Sequence, residues 1–228
     1  MKLKHLVLLA GVAVSLPATL YSAKANTSVI TITSLPYKVT ASGEYIVESD
    51  LTAKSGDNGI TIASDVNNVV INLNGHMLFG SGGTGVICSN STNVTVRNGI
   101  ISGFGNGISF TGSEFFLNGL KVIVSEKGVG LTGTNCVVAS CVIVSSNASN
   151  VQPGISMDCA ESQVSDSQVS GFNVGVEETG SDNAMIHNFL TDCGTGLSLS
   201  SGDKYQGNVT TRCGTPFSGG TAVGGENG

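Results

Sequence analysis

A short repeated segment constrains this chain more than any other feature of its sequence. A glycine followed by an apolar residue recurs at Gly59, Gly85, Gly107, Gly130, Gly154, Gly175 and Gly196. The successive spacings are 26, 22, 23, 24, 21 and 21 residues. Between these glycines stand apolar pairs five positions apart, such as Val96 and Ile101 or Leu117 and Val122. A period of about 20 to 50 residues indicates repeat units that bury their apolar sides only against their neighbours.

Each repeat holds two or three short apolar segments and shows no helical periodicity. The chain has 32 glycines, 4 prolines and no tryptophan, and its many Ser, Thr and Asn residues favour strands and turns. These features predict an all-β fold. The specific prediction is a single-stranded, right-handed parallel β-helix (a solenoid) of about seven to eight coils, stacked about 4.8 Å apart. An antiparallel sandwich of short strands is the alternative, but a sandwich does not require a fixed period.

The repeat also predicts which side chains point inward. One continuous inward stack is expected from the residues that follow the glycines: Ile60, Val86, Ile108, Leu131, Ile155, Val176 and Leu197. The longer spacings predict insertions at residues 125–129 and 145–153. Glu178 falls at an inward position, where an unpaired carboxylate would be too costly to bury. We therefore expect either a bulge that turns Glu178 outward or a partner that compensates its charge.

The N-terminal segment has the features of a secretory signal peptide. Lys2 and Lys4 precede an apolar stretch at residues 6–20, and the small-residue pattern Ala23-Lys24-Ala25 follows. The stretch is short for a membrane span, which needs about 20 apolar residues. We expect a signal peptide at residues 1–25, cleavage after Ala25, and export to the periplasm or the exterior, with no transmembrane segment.

The rest of the chain divides into three predicted parts. Residues 26–58 are expected to form N-terminal capping strands and the entry to the helix, and residues 59–216 the β-helix itself. The Gly-rich residues 217–228 contain little apolar surface and are expected to be disordered. The last coil, around residues 205–217, would then expose unpaired strand edges, so we expect it to be either the frayed end of the helix or the seat of a homo-oligomeric contact.

The charge of the chain argues against a nucleic-acid partner. The sequence contains 10 basic and 16 acidic residues, for a net charge of −6. Loss of Lys2, Lys4 and Lys24 with the signal peptide leaves 7 basic and 16 acidic residues, 7 − 16 = −9. A chain of this sign lacks the basic stripe that neutralises phosphates.

Several segments resemble the opening of bacterial right-handed β-helix repeat proteins of the pectin-lyase-like superfamily. They are VINLNGH at residues 70–76, GSG at 80–82, NVTVRNG at 93–99 and GFGNGI at 103–108. The resemblance covers about residues 29–216 and implies the fold. The superfamily includes pectin and alginate lyases, epimerases, phage spikes, adhesins and a periplasmic copper-binding group, so the resemblance implies no single activity.

The catalytic motifs of that superfamily are missing from the sequence. Its polygalacturonases use clustered aspartates with Gly-His-Gly and Arg-x-Lys, and its alginate epimerases use Asp-Pro-His-Asp; the chain contains none of these. His76 and His187 are five coils apart, roughly 24 Å, too far for one metal ion. We therefore name no catalytic residue and favour a protein that is not an enzyme. A polysaccharide lyase or hydrolase with an acidic site assembled across coils is the main alternative.

Three acidic residues recur at one offset in consecutive coils. Glu161, Asp182 and Asp203 each follow a repeat glycine by seven residues, so they are expected to stack on one exposed edge. Like charges at that spacing repel unless a cation lies between them. The column predicts a Ca²⁺ site, the one cofactor that the sequence suggests. Solvated turn carboxylates with Lys204 as a neighbour are the alternative interpretation.

The outward positions of the glycine strand are rich in hydroxyl groups. A candidate ligand face is formed by Thr61, Ser109, Thr132, Ser156 and Ser198. The face predicts an exported module that binds a polysaccharide, a cell-surface glycan or another surface. Ice binding through ordered hydroxyls is a third hypothesis. The structural alternative is that small and β-branched residues simply suit an exposed strand.

The six cysteines allow two interpretations. In an exported chain they can form disulfides, and Cys193 and Cys213 lie in matching contexts one coil apart. In-register stacking, however, aims the sulfur atoms poorly at each other. Disulfides and stacked free thiols therefore remain alternatives for Cys88, Cys136, Cys141, Cys159, Cys193 and Cys213.

Overall fold

The computed structural model describes residues 29–147, 149 and 152–224. Over these residues the chain has no helix and winds into a parallel β-solenoid of about nine turns. The predicted all-β parallel β-helix is therefore confirmed, with slightly more coils than expected. The predicted signal peptide at residues 1–25 lies outside the described residues.

Every strand of the described chain is short or bends at a corner, and neighbouring strands are parallel. The strands are β1 (Ile30–Ile32), β2 (Tyr37–Val39), β3 (Gly43–Val47), β4 (Leu51–Thr52), β5 (Ile60–Ile62), β6 (Val69–Asn72), β7 (Met77–Phe79), β8 (Thr84–Ser102), β9 (Asn106–Val124), β10 (Val129–Thr134), β11 (Val137–Ala139), β12 (Val142–Ser145), β13 (Pro153–Ala160), β14 (Gln163–Ser165), β15 (Gln168–Ser170), β16 (Val174–Glu178), β17 (Ala184–Ile186), β18 (Phe189–Thr191), β19 (Thr195–Ser198), β20 (Lys204–Gln206), β21 (Val209–Thr211), β22 (Thr215–Ser218) and β23 (Thr221–Ala222).

The strands stack in three columns along the helix axis. Column A contains β2, β5, β10, β13, β16, β19 and β22. Column B contains β1, β3, β6, β11, β14, β17, β20 and β23, and column C contains β4, β7, β12, β15, β18 and β21. The long strands β8 and β9 each bend through all three columns and so complete a whole turn. We call one level of the stack a rung, and the bends between columns the A–B, B–C and C–A corners.

The inward stack of column A has the predicted composition except at one position. In register it contains Ile60, Val86, Ile108, Val129, Ile155, Val176 and Leu197, all buried. The prediction of Leu131 at the fourth position is wrong, because Val129 pairs with Ile108 and Ile155. Leu131 is buried in the neighbouring inward stack, between Phe110 and Met157.

This register makes Gly128, and not Gly130, the repeat glycine. Gly107 to Gly128 spans 21 residues and Gly128 to Gly154 spans 26. The predicted insertion at residues 125–129 is therefore wrong, because that coil has the ordinary length. The longer spacing that remains includes the predicted insertion at residues 145–153, of which residues 148, 150 and 151 lie outside the description.

The repeat glycines lie at the C–A corner, where a side chain has no room. A Cβ atom on Gly107 would collide with Val122 of column C and with the carbonyl oxygen of Gly128 on the next rung. A Cβ on Gly128 would meet Ile143 and the carbonyl oxygen of Gly154 in the same way. Gly130 would first meet only the flexible Lys127 side chain, at 3.1 Å. Close approach of main chain to main chain therefore requires glycine at position 128.

The interiors of the other two corners change character along the helix. At the A–B corner the inward residues of successive rungs are Val69, Val94, Phe115, Cys136, Ser162, Asn183 and Asp203. At the B–C corner they are Leu120, Cys141, Ser167, Asn188 and Asn208. Both corners therefore change from apolar residues through Cys and Ser to Asn or Asp.

In the later rungs these corner residues form hydrogen-bonded ladders. The Ser167 N–H donates to Asn188 Oδ1 at 3.0 Å, and the Asn188 N–H donates to Asn208 Oδ1 at 2.9 Å. The Asn188 side-chain amide also donates to the Val164 carbonyl oxygen at 2.9 Å. These bonds pair main-chain groups that face the interior and would otherwise be costly to bury.

The ends of the helix differ from the predicted division of the chain. Strands β1 and β3 pair in parallel as successive rungs of column B, so residues 30–58 continue the helix and do not lie across it as a cap. At the other end, β22 extends column A and β23 pairs with β20. Ordered strand pairing thus reaches Ala222, within the segment expected to be disordered, and residues 225–228 lie outside the description.

Candidate functional site

The outer face of column A carries two parallel ladders of mostly small polar side chains. The first ladder contains Thr61, Ile87, Ser109, Gly130, Ser156, Glu177 and Ser198. The second lies two residues further along each strand and contains Thr111, Thr132, Asp158, Thr179 and Ser200. Strand geometry places rungs about 4.8 Å apart and the two ladders about 6.6 Å apart. We call this surface the hydroxyl face.

The structure brings the predicted ligand residues together on this face. Ser109, Ser156 and Ser198 lie in the first ladder with Thr61, and all four are partly exposed. Thr132 was expected in the same ladder, but it pairs with Thr111 and Asp158 in the second. The reason is that Gly128 is the repeat glycine, so each residue of β10 lies two positions further along the coil than expected. Thr132 therefore stays on the outer face but belongs to the second ladder.

The expected acidic column forms only in part. Glu161 and Asp182 are exposed at the A–B corner, but Asp203 is fully buried. The expectation of one exposed edge is therefore wrong for Asp203. Only 20 residues separate Asn183 from Asp203, so Asp203 takes the inward position of Asn183, and Gly202 takes the place opposite Asp182.

Glu161 and Asp182 have a conformational role at this corner. Both have positive φ, 54° and 59°, like Asn135 at 54° on the preceding rung. The left-handed region is most accessible to Gly, Asn and Asp. Among the described residues no group of three or more His, Cys, Asp or Glu residues could hold a metal ion. Ca²⁺ binding by the remaining pair stays a prediction, which a thermal shift at millimolar Ca²⁺ would check.

Glu178 points into the helix and does not turn outward. It pairs with Met157 in the inward register and is 3% exposed. The Gly180 N–H donates to its Oε1 atom. Burial and the neighbouring Asp203 carboxyl raise the pKa of Glu178 to about 8. The expected compensation is therefore present in part: the Gly180 N–H pairs one oxygen, and the raised pKa favours the neutral carboxyl, but Oε2 has no hydrogen-bond partner in the described part of the chain.

The two histidines lie at the B–C corner on separate rungs, each beside an acidic residue. His76 Nδ1 is 3.4 Å from Asp50 Oδ1, and His187 Nδ1 is 3.9 Å from Asp166 Oδ1. These pairs stand on rungs far apart along the stack. In the described part of the chain, the only acidic side chains that are buried are Glu178 and Asp203, which are closed to a solvent-borne substrate.

The outer face of column C is rich in exposed apolar residues, a feature that the sequence did not reveal. Its partly or fully exposed residues include Met77, Phe79, Ile100, Ile123, Val142, Val144, Phe189 and Val209. Phe79 is 45% exposed and Phe189 40% exposed. The five-residue apolar pairs revealed the inward side of this column, but the outward positions are apolar on some rungs and polar on others, as at Phe189 and Gln168. Column C therefore carries exposed aromatic rings, which the hydroxyl face lacks.

All six cysteines are free thiols. Burial raises the pKa of Cys88 to about 12 and that of Cys193 to about 11. Cys136 and Cys159 interact inside the A–B corner, and the thiol of Cys159 lowers the pKa of Cys136 by hydrogen bonding to it. The sequence pointed only to Cys193 and Cys213 as neighbours, with disulfide and free thiols as alternatives, because Cys136 and Cys159 share no common context.

Comparison with known proteins adds no assignment to these surfaces. The sequence matches no family model, and no curated protein is significantly similar to it. No helix within residues 29–147, 149 and 152–224 is long and apolar enough to cross a bilayer. The geometry and charge of the three outer faces are therefore the basis for inferring a function.

Proposed function

We propose that this protein is an exported binding module whose hydroxyl face contacts an extended, uncharged polysaccharide. The observation that carries the proposal is the alignment of two Ser/Thr-rich ladders over consecutive rungs of column A. A repeating row of hydroxyl groups matches a ligand that itself repeats along its length. Each rung then adds a similar small contribution, so binding depends on the number of rungs that the ligand spans.

Charge favours a neutral ligand over an anionic one. The ladders contain two charged residues, Asp158 and Glu177, both acidic and at least partly exposed. The whole chain carries a net charge of −6. A uronate polymer would be repelled by such a field, because like charges on two surfaces oppose association. Neutral glucans and chitin-like polymers therefore fit this face better than pectate or alginate.

A panel of polysaccharides tests the proposal directly. We expect the purified protein to bind neutral polymers on a glycan array and to co-sediment with insoluble cellulose or chitin, while alginate and polygalacturonate show no retention. Affinity for soluble oligosaccharides should rise with chain length. Binding that is confined to anionic polymers, or to none of the panel, would contradict the proposal.

The alternative function is a polysaccharide lyase or hydrolase, as the resemblance to the pectin-lyase-like superfamily suggests. The placement of the acidic residues disfavours it, because Glu178 and Asp203 are buried and Glu161 and Asp182 occupy a turn. An absorbance assay for unsaturated uronides would detect lyase activity, and release of reducing ends would detect hydrolysis. Either signal from the protein would replace the binding proposal.

Ice binding is a further candidate, favoured by the same ladders of hydroxyl and methyl groups. Measurement of thermal hysteresis distinguishes it from polysaccharide binding. A freezing gap that disappears in Thr111→Lys would assign the hydroxyl face to ice. Binding to a polysaccharide without thermal hysteresis would leave the first proposal in place.

A further inference from the structure

Two acidic side chains lie inside the helix near its C-terminal end. Glu178 ends β16 and is 3% exposed, and Asp203 precedes β20 and is 0% exposed. The other acidic residues of the described chain are at least partly open to solvent. Because an isolated carboxylate is very costly to bury, this pair needs a specific compensation.

Asp203 occupies a ladder position where the preceding rung has an asparagine. Its Oδ1 atom accepts hydrogen bonds from the Asn183 N–H at 3.0 Å and from the Asn183 side-chain amide at 3.3 Å. Its Oδ2 atom accepts one from the Ser200 N–H at 2.9 Å. The Asn183 amide nitrogen also donates to the Cys159 carbonyl oxygen, a bond that an aspartate cannot reproduce because it has no donor.

The Glu178 carboxyl has one oxygen atom that is paired and one that is not. Its Oε1 atom accepts the Gly180 N–H, but its buried Oε2 atom has no hydrogen-bond partner within the described residues. Burial and then the neighbouring Asp203 carboxyl raise the pKa of Glu178. Two adjacent carboxylates in a dry corner cannot both ionise, whereas a single proton lets one donate to the other.

The surrounding charges do not compensate this pair. On the side of β13, Cys159 is buried, and its pKa is raised by Cys136 and by burial, so its thiol is neutral. On the side of β20, Tyr205 is half-buried. The charged side chains on these elements are partly or fully exposed; they are Asp158, Glu177, Asp182 and Lys204.

We propose that Glu178 and Asp203 hold one proton between them, as a latch whose release opens the C-terminal rungs of the helix in alkaline solution. In the closed latch Glu178 Oε2 carries the proton, and its O–H donates a hydrogen bond to the Asp203 carboxylate. Loss of the proton to solvent leaves two carboxylates facing each other. Asp203 links the turn at residues 200–203 to Asn183 on the preceding rung, so repulsion between the two carboxylates separates this turn from that rung.

The direction of the pH effect follows from proton linkage. The ordinary pKa of a glutamate is about 4.3, and the pKa of Glu178 is raised to about 8 by burial and by Asp203. Between these values the closed state binds one proton more than the open or unfolded state. The stability that this proton contributes is complete below about pH 4.3 and is lost as the pH rises to about 8. The opening constant should therefore rise about tenfold per pH unit in that window.

Glu178→Gln is the decisive variant, with Glu177→Gln as its matched control. A glutamine can accept the Gly180 N–H and donate to Asp203, so it copies the protonated latch without titrating. Glu177 is the preceding residue of the same strand but points outward. The Tm of the full chain is measured by thermal unfolding at pH values from 5 to 9. Over this range the Tm of the wild type and that of E177Q should fall by the same amount. The Tm of E178Q should fall by several degrees less, so that it is the highest of the three at pH 9.

Two further measurements separate a latch from general alkaline sensitivity. Hydrogen exchange, corrected for intrinsic rates, should show protection in β20 and β21 falling with pH in the wild type and staying constant in E178Q. Infrared spectra of the wild type and E177Q at pH 7 should show a protonated carboxyl band that is lost in E178Q. Parallel pH curves for E178Q and the wild type, or no such band in the wild type, would overturn the proposal.

Discussion

The early and late rungs of this helix close the same two corners with different chemistry. At the A–B corner the early rungs bury Val94 and Phe115, whereas the late rungs bury Asn183 and Asp203. The B–C corner follows the same course, so that position 188 holds an asparagine where position 120 holds a leucine. Apolar corners depend on packing, and polar corners depend on directional bonds from each rung to the next.

The contrast shows where this fold can respond to its surroundings. A packed corner is insensitive to pH, and its cost of disruption depends on lost contacts and cavity volume. A polar ladder depends on the protonation and geometry of every member, because an unpaired buried group is expensive. At the A–B corner the ladder ends on Asp203, which lacks the donor that Asn208 has at the B–C corner. The late rungs therefore contain the pH-sensitive pair.

The largest expected effect comes from the apolar corner. Phe115→Ala removes a fully buried ring that contacts Phe110, with ring centroids 5.0 Å apart. We expect it to lower the free energy of unfolding by about 3–5 kcal/mol. Phe116→Ala is the control, since that ring is 41% exposed and should matter by less than about 0.5 kcal/mol. Chemical denaturation measures both, and equal losses would show that the corner is not packed as described.

A second variant transfers the early chemistry to the late rungs. Asn188→Leu copies Leu120 but leaves the Ser167 N–H and the Val164 carbonyl oxygen without their partners. We expect a loss of about 2–4 kcal/mol, because two buried groups lose their partners at about 1–3 kcal/mol each and burial of the leucine side chain offsets part of that cost. Gln168→Leu, an exposed position on the adjacent strand, should be nearly neutral. A stable Asn188→Leu protein would mean that the two kinds of corner are interchangeable.

Substitutions at the C–A corner should have similar effects on stability in the early and the late rungs. Gly107→Ala and Gly175→Ala each place a Cβ against column C and a carbonyl oxygen of the next rung. Both should cost about 1–3 kcal/mol through overpacking. Gly130→Ala should cost less, since its Cβ meets only the movable Lys127 side chain first. If Gly130→Ala were the more damaging substitution, the register that assigns Gly128 to the repeat would be incorrect.

The sequence predicted the architecture because the repeat is a direct record of the fold. Each C–A corner needs a glycine, and each rung needs apolar residues at fixed offsets, so both leave a visible period. The prediction failed at Gly130 because a second glycine lies two residues beyond the structural one. It failed at Asp203 because a coil shortened by one residue moves a side chain from the outside to the inside.

The polar ladders also left a signal, although it is readable only with the correct register. Ser162 and Ser167, Asn183 and Asn188, and Asp203 and Asn208 are pairs five positions apart, with the same separation as the apolar pairs. Their hydrogen bonds run between residues 20 to 26 positions apart, so local sequence does not reveal them. The hydroxyl face was predictable from alternation alone, but its ligand depends on shape and charge that alternation does not encode.

One binding measurement tests the central claim, that the hydroxyl face of column A is the binding surface. Ser109→Lys, Gln163→Lys and Gln168→Lys add the same single charge to the outer faces of columns A, B and C. Each is titrated with the neutral polysaccharide selected by the panel, and circular dichroism confirms that each is folded. We expect Ser109→Lys to weaken binding at least about tenfold, and the other two variants to bind like the wild type. Unchanged binding by Ser109→Lys, with loss of binding by Gln168→Lys, would place the site on the outer face of column C and exclude the hydroxyl face.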